Sequence, residues 1–153
     1  MQKPTQIALG VILLVLVGVT AAPAQPAWQG LDIVRHAERG NARAQTRLGF
    51  LFATGRGVPQ NYAEAAYWYQ RAAEQGDPDA QYLLGICFDL AKGLPMDWVQ
   101  AYKWFNLSAS RTRAGDEREH RARMRDGAAS KLTSGQLELG QGLAAAWRPT
   151  RER

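Results

Sequence analysis

Sliding the sequence against itself by 36 residues brings eleven identical residues into register without a gap. Gly40 falls on Gly76, Ala44 on Ala80, Gln45 on Gln81, Leu48 on Leu84 and Gly49 on Gly85. Phe52 then meets Phe88, Gly57 meets Gly93, Pro59 meets Pro95, Ala65 meets Ala101, Trp68 meets Trp104 and Ala73 meets Ala109. Trp, Phe, Gly and Pro recurring in fixed order restrict the chain to stacked copies of one small unit. Each copy then buries a face that it cannot bury alone.

The unit reads as two helices joined by a glycine loop. Asn41 and Asp77 are N-cap residues whose side-chain oxygens accept from free amides, and Pro78 suits a first helical position, where no N–H is needed. A first helix is predicted from Ala42 or Pro78. In the first copy it ends near Thr54, where Gly55 and Gly57 take the positive φ of a helix exit and turn. Pro59 and Pro95 keep helix out of the connection. Asn61 and Asp97 restart it, with Glu64 and Gln100 as capping-box partners three residues on. In the second helix Ala65, Trp68, Tyr69 and Ala72 share one face, and Ala101, Trp104, Phe105 and Ser108 repeat it. Large residues facing small ones let helices interlock, and burying each aromatic contributes about 1.5–3 kcal/mol. Gly49 and Gly85 lie inside first helices, where glycine costs about 1 kcal/mol against alanine. A close helix–helix approach explains their presence.

These residues resemble the Sel-one-like repeat, a relative of the tetratricopeptide repeat built as stacked helix pairs. The resemblance is carried by Ala-Gln-x-x-Leu-Gly at Ala44–Gly49 and Ala80–Gly85 and by Gly-x-Gly-Val-Pro at Gly55–Pro59. Ala-x-x-Trp, ending in Ala-Ala-x-x-Gly, follows at Ala65–Gly76. The first copy fits closely. The second has Ala91 for the first loop glycine, Leu94 for the valine and Ser108-Ala109 for the paired alanines, changes that bear on the turn near Lys92. Upstream, Ala37 and Gly40 align with Ala73 and Gly76, so Ile33 to Gly40 looks like the second helix of an incomplete unit. The resemblance implies an all-α fold, a short right-handed α-solenoid of helix-turn-helix repeats with C-terminal capping helices. Leu48, Gly49, Gly57, Trp68, Leu84, Gly85, Gly93 and Trp104 are its structural motif residues.

The two ends carry different chemistry. Lys3, the apolar run Ile7–Val19 and Ala22-Pro23-Ala24 have the order of a secretory signal, and the run is shorter than the about 20 residues that span a bilayer. Cleavage near Ala24 would leave an exported, periplasmic or secreted chain; retention as an uncleaved anchor is the alternative. At the other end, Asp116 to Leu132 reads as a weakly amphipathic, Arg-rich helix. Thr133 and Gln136 form a capping box for a last helix running through Trp147 and stopped by Pro149. The expected organisation is a signal peptide at 1–24, an incomplete leading repeat at 25–39, and repeats at 40–75 and 76–111. Capping helices and a basic tail fill 112–153. The net charge of +5 is concentrated in this tail: residues 111–153 hold ten Lys or Arg against six Asp or Glu, while residues 40–110 hold six of each.

The resemblance implies a non-catalytic scaffold or adaptor that holds a protein or peptide on the concave face formed by first helices. By analogy with the tetratricopeptide groove, Arg43, Thr46, Phe50, Ala53, Asp79, Tyr82, Ile86 and Asp89 line that face. Phe50 and Ile86 read equally well as partly buried between helices. Arg43 and Tyr82 are of the types favoured at interface hot spots. An end-to-end homodimer that lengthens the stack is left open.

Against catalysis, the chain has no Ser-x-x-Lys, and its phosphate-like glycine loops lack Gly-Lys-Ser/Thr. Exported relatives associated with β-lactam binding carry paired cysteines, whereas this chain has Cys87 alone, read as a small buried residue. His36 and His120 lie in different regions without ligand spacing, so neither metal nor cofactor is expected. Interleaved acids make the tail a solvated helix rather than a nucleic-acid site. Binding of an envelope surface or anionic polymer through the tail is the alternative function, and a hydrolase-like, β-lactam-related activity the more distant one.

Overall fold

The computed structural model describes residues 27–151, with side chains from Asp32 onward; the expected signal peptide lies outside the described residues. The described chain is helical with no strand: α1 (Ala27–Glu38), α2 (Ala42–Thr54), α3 (Tyr62–Glu74), α4 (Pro78–Asp89), α5 (Trp98–Arg111), α6 (Asp116–Ala129) and α7 (Ser134–Ala146). The caps set the boundaries. Asn41 Oδ1 accepts from the Ala44 amide at 2.9 Å and Asp77 Oδ1 from the Ala80 amide at 2.8 Å. Asn61 accepts from Ala63 and Glu64, and Asp97 from Val99 and Gln100. The reciprocal box forms at α7, where the Thr133 amide donates to Gln136 Oε1 and the Gln136 amide to Thr133 Oγ1.

Each helix from α1 to α5 packs on the next. The motif glycines make this approach possible, since a Cβ on Gly49 would lie 2.7 Å from the Tyr69 ring and one on Gly85 2.7 Å from the Phe105 ring. The second-helix aromatic therefore lies directly on the first-helix backbone, and the two glycines are required for closeness rather than for φ. The motif glutamines join units. Gln45 Nε2 donates to the Ala37 carbonyl at 3.0 Å and Gln81 Nε2 to the Ala73 carbonyl at 3.2 Å, tying each first helix to the preceding second helix.

The turn near Lys92 survives the loss of its first glycine. Ala91 holds φ +52 where Gly55 holds φ +69, a left-handed conformation that costs a non-glycine residue about 1–2 kcal/mol. Gly93, with φ +76, could carry no side chain in any case, because its Cβ would fall 2.0 Å from the Tyr62 carbonyl oxygen.

At the C-terminal end the repeat geometry changes. The α6–α7 connection is confined to Ser130–Thr133, shorter than the Gly55–Asn61 loop, and α7 packs back on α5. Gly140 receives Tyr102 as Gly85 receives Phe105, with a Cβ at 2.8 Å. Trp147, expected inside the last helix, instead leaves it with ψ 138. Its ring meets Trp104 edge-on at 6.4 Å and lies under the Arg111 guanidinium at 4.4 Å. The Thr150 amide then donates to the Glu74 carbonyl at 2.8 Å, so the tail is strapped across the end of α3.

Candidate partner-binding surface

The eight residues expected on the first-helix face divide by unit. In the second unit they are engaged by α6 and by Lys131 in the connection after it. Asp79 Oδ1 accepts from Arg121 at 2.5 Å, and the Tyr82 hydroxyl meets His120 Nε2 at 2.9 Å. Ile86 packs into the cluster of Ala101, Phe105 and Ala128, and Asp89 pairs with Lys131 at 2.5 Å. Burial pushes the Tyr82 phenol above its ordinary pKa, with the Arg121 charge pulling the other way. The expectation of an open groove across both units is therefore corrected for the second. Its four positions face α6 and the connection that follows it.

The residue that closes this face is Arg121, whose side chain is 5% exposed. It donates to the Pro78 carbonyl at 2.7 Å and Ser108 Oγ at 2.8 Å, and it pairs with Glu117 as well as Asp79. Arg121 thus ties α6 to α5 as Gln81 ties α4 to α3, and α6 occupies the place of a third first helix. Sequence reasoning missed this because Gln45 and Gln81 are 36 residues apart while Arg121 follows after 40, outside the register of the slide. The signal that could have found it was an arginine buried opposite a serine, in place of the glutamine, after a lengthened loop.

In the first unit the face is more open. Arg43 is exposed, and Phe50 is 41% exposed beside Arg56, whose guanidinium carbon lies 5.7 Å from the ring centroid. Thr46 and Ala53 are half-buried, the former with its hydroxyl donating to the Ala42 carbonyl at 3.0 Å. Next to Arg43 an open cleft of about 340 Å³ is lined by Asp32, Ile33, His36, Asn41, Ala44 and Arg47. Apolar Ile33 and Ala44 lie there between Arg43 and Arg47 on one side and Asp32 on the other, a mixed lining open to a polar or amphipathic segment.

The groups that could carry chemistry are dispersed. Cys87 is 4% exposed, and burial pushes its thiol up to about 11, with the Lys92 charge opposing. Such a thiol is protonated and inert at neutral pH. His120 is held by Tyr82, far along the chain from His36. Among the described residues no three His, Cys, Asp or Glu side chains are grouped to hold a metal ion, and no helix is long and apolar enough to cross a membrane.

The Sel1 repeat family model matches residues 42–77 and 78–112. No curated protein is significantly similar to the chain. Among solved structures, the chain is similar to a protective antigen present in uropathogenic Escherichia coli strains and displaying an SLR fold. The TM-score is 0.69 and the identity 31% over 75% of this chain, which spans only 24% of the antigen. It is also similar to a Sel1 repeat protein from Oxalobacter formigenes, with TM-score 0.55 and 35% identity over 61% of this chain and 68% of that one. With two tandem matches and this likeness across most of a Sel1 repeat protein, the chain belongs to the Sel1 repeat family, whose all-helical solenoids generally mediate protein–protein interaction.

Proposed function

We propose that the chain is a non-catalytic interaction module of the bacterial cell envelope that holds a partner protein or peptide on the first-helix face of its first unit. The contrast between the two units carries this reading. Asp79, Tyr82, Ile86 and Asp89 are engaged by α6 and by Lys131 just after it, whereas their counterparts Arg43 and Phe50 are exposed, Arg43 at the edge of an open cleft. Arginine and aromatic side chains are the types that dominate interface energetics. The envelope assignment rests on the signal-like order of Lys3, Ile7–Val19 and Ala22–Ala24.

Binding through the basic tail has less support, because four of its cations are used internally. Arg121 and Lys131 bridge to α4, Arg125 pairs with Asp126 and Arg111 covers Trp147. The test is site-specific photocrosslinking in the native envelope. A photoreactive residue at position 50 should give a discrete protein adduct that Arg43→Ala weakens, while one at position 139 on α7 should give none. Adducts at 139 but not at 50 would move the site elsewhere.

A further inference from the structure

Seven large apolar side chains are exposed among the described residues, and five of them, Phe50, Tyr62, Leu90, Met96 and Trp98, lie at the loop end of the helix hairpins. Contacts between successive connections make this end one continuous edge. Lys92 Nζ stands 5.4 Å from the Tyr62 ring centroid, and Gly93 sits against the Tyr62 backbone. Lys131 Nζ stands 5.6 Å from the Trp98 ring, and the Arg56 guanidinium 5.7 Å from the Phe50 ring. Each exposed aromatic of the edge thus carries a cation, in the order Arg56 on Phe50, Lys92 on Tyr62 and Lys131 on Trp98.

Two of the three acids nearby are engaged, while Glu64 in the first turn of α3 has no ion pair among the described residues. Asp97 caps α5 and Asp89 pairs with Lys131, whereas Arg56 and Lys92 have no ion-pair partner among the described residues. The second copy is the more apolar one. Leu90, Met96 and Trp98 stand where the first copy has Thr54, Gln60 and Tyr62. The first connection folds with polar residues at two of these positions, so the fold does not require the apolar replacements.

We propose that this edge docks on the surface of an anionic lipid bilayer; it adjoins the partner face and shares Phe50 with it. Rings with a polar tip or a capping cation suit headgroup depth, and long basic side chains keep their stems apolar while their charges reach lipid phosphates. Leu90 and Met96, each 54% exposed, distinguish lipid from a soluble polyanion, which would satisfy the cations and leave these two side chains in water. The edge lies on the membrane and does not span it.

The experiment uses the chain from Gln25 onward, as left by the expected cleavage, with an environment-sensitive dye on Met96→Cys or, as control, on Leu139→Cys, which is exposed on α7. Buried Cys87 does not compete for label. Vesicles made of equal parts phosphatidylglycerol and phosphatidylcholine should blue-shift the dye at 96 and leave that at 139 unchanged. Arg56→Gln and Lys92→Gln should each lower this binding about fivefold, the effect of one basic residue at an anionic surface. Leu90→Thr with Trp98→Tyr should reduce it further while melting temperature holds. No shift at 96, equal shifts at 96 and 139, or an equal response to phosphatidylcholine alone would overturn the proposal. A shift at 96 produced by a vesicle-free protein fraction and not by vesicles would assign the edge to a protein and overturn it too.

Discussion

Replacing Arg121 with alanine should destabilise the chain more than the loss of any other tail cation. The guanidinium is almost wholly buried and donates to the Pro78 carbonyl and Ser108 Oγ, two acceptors that water reaches poorly. A hydrogen bond involving a charged group contributes about 1.5–3 kcal/mol. The paired carboxylates of Asp79 and Glu117 are 64% and 67% exposed, so each adds only about 0–1 kcal/mol after screening. Arg121→Ala is therefore expected to cost about 3–5 kcal/mol, lowering Tm by roughly 10 °C or more for a domain of this size. Arg121→Gln installs the residue that the other units use and should recover about half of that loss. Lys131→Ala strips the partner from Asp89, whose side chain is only 12% exposed, but loses one charged contact rather than two buried ones, and should cost about 1–2 kcal/mol. Thermal melts followed by circular dichroism on the four chains in parallel decide the matter. If Arg121→Ala and Lys131→Ala melt together, or if glutamine is no better than alanine, α6 is not held as a third first helix.

Gly85→Ala places a Cβ 2.7 Å from the Phe105 ring and should destabilise by about 1–3 kcal/mol, less the about 1 kcal/mol gained in helix propensity, as read by urea unfolding. Ala91→Gly relieves the φ +52 strain and should raise stability by about 1 kcal/mol in the same assay. The Cys87 thiol is raised in the folded chain from 9.0 to about 11, so its contribution is full below pH 9 and is lost as pH climbs toward 11. Tm should fall across that window. Cys87→Ala should flatten the fall, and thiol alkylation near neutral pH should require denaturant.

The two repeat units were readable because their fold is written in local signals. Asn41, Asn61, Asp77 and Asp97 are N-caps where their residue types place them, and α2 ends at Thr54 against Gly55. The glycines at 49 and 85 implied close packing, and the rings of Tyr69 and Phe105 supply it. What lay beyond a sliding comparison was the fate of the tail. Whether α7 continues the stack or folds back depends on the short Ser130–Thr133 connection and on Gly140 accepting Tyr102, a contact between residues far apart in sequence. The candidate site was half readable for the same reason. Its second-unit residues do share one face of α4, but α6, shifted out of the repeat register and carrying Arg121 for glutamine, covers that face together with Lys131.

The dependence of the two units on α6 and α7 is tested most directly by ending the chain at Ser110 and comparing its melt with that of the full chain. Trp104 and Phe105, now 4% and 0% exposed, would lose Trp147 and the Ala128 cluster respectively. The truncated chain should lose its cooperative transition or melt far below the full chain; a cooperative melt at unchanged Tm would contradict a two-unit stack closed by its own tail.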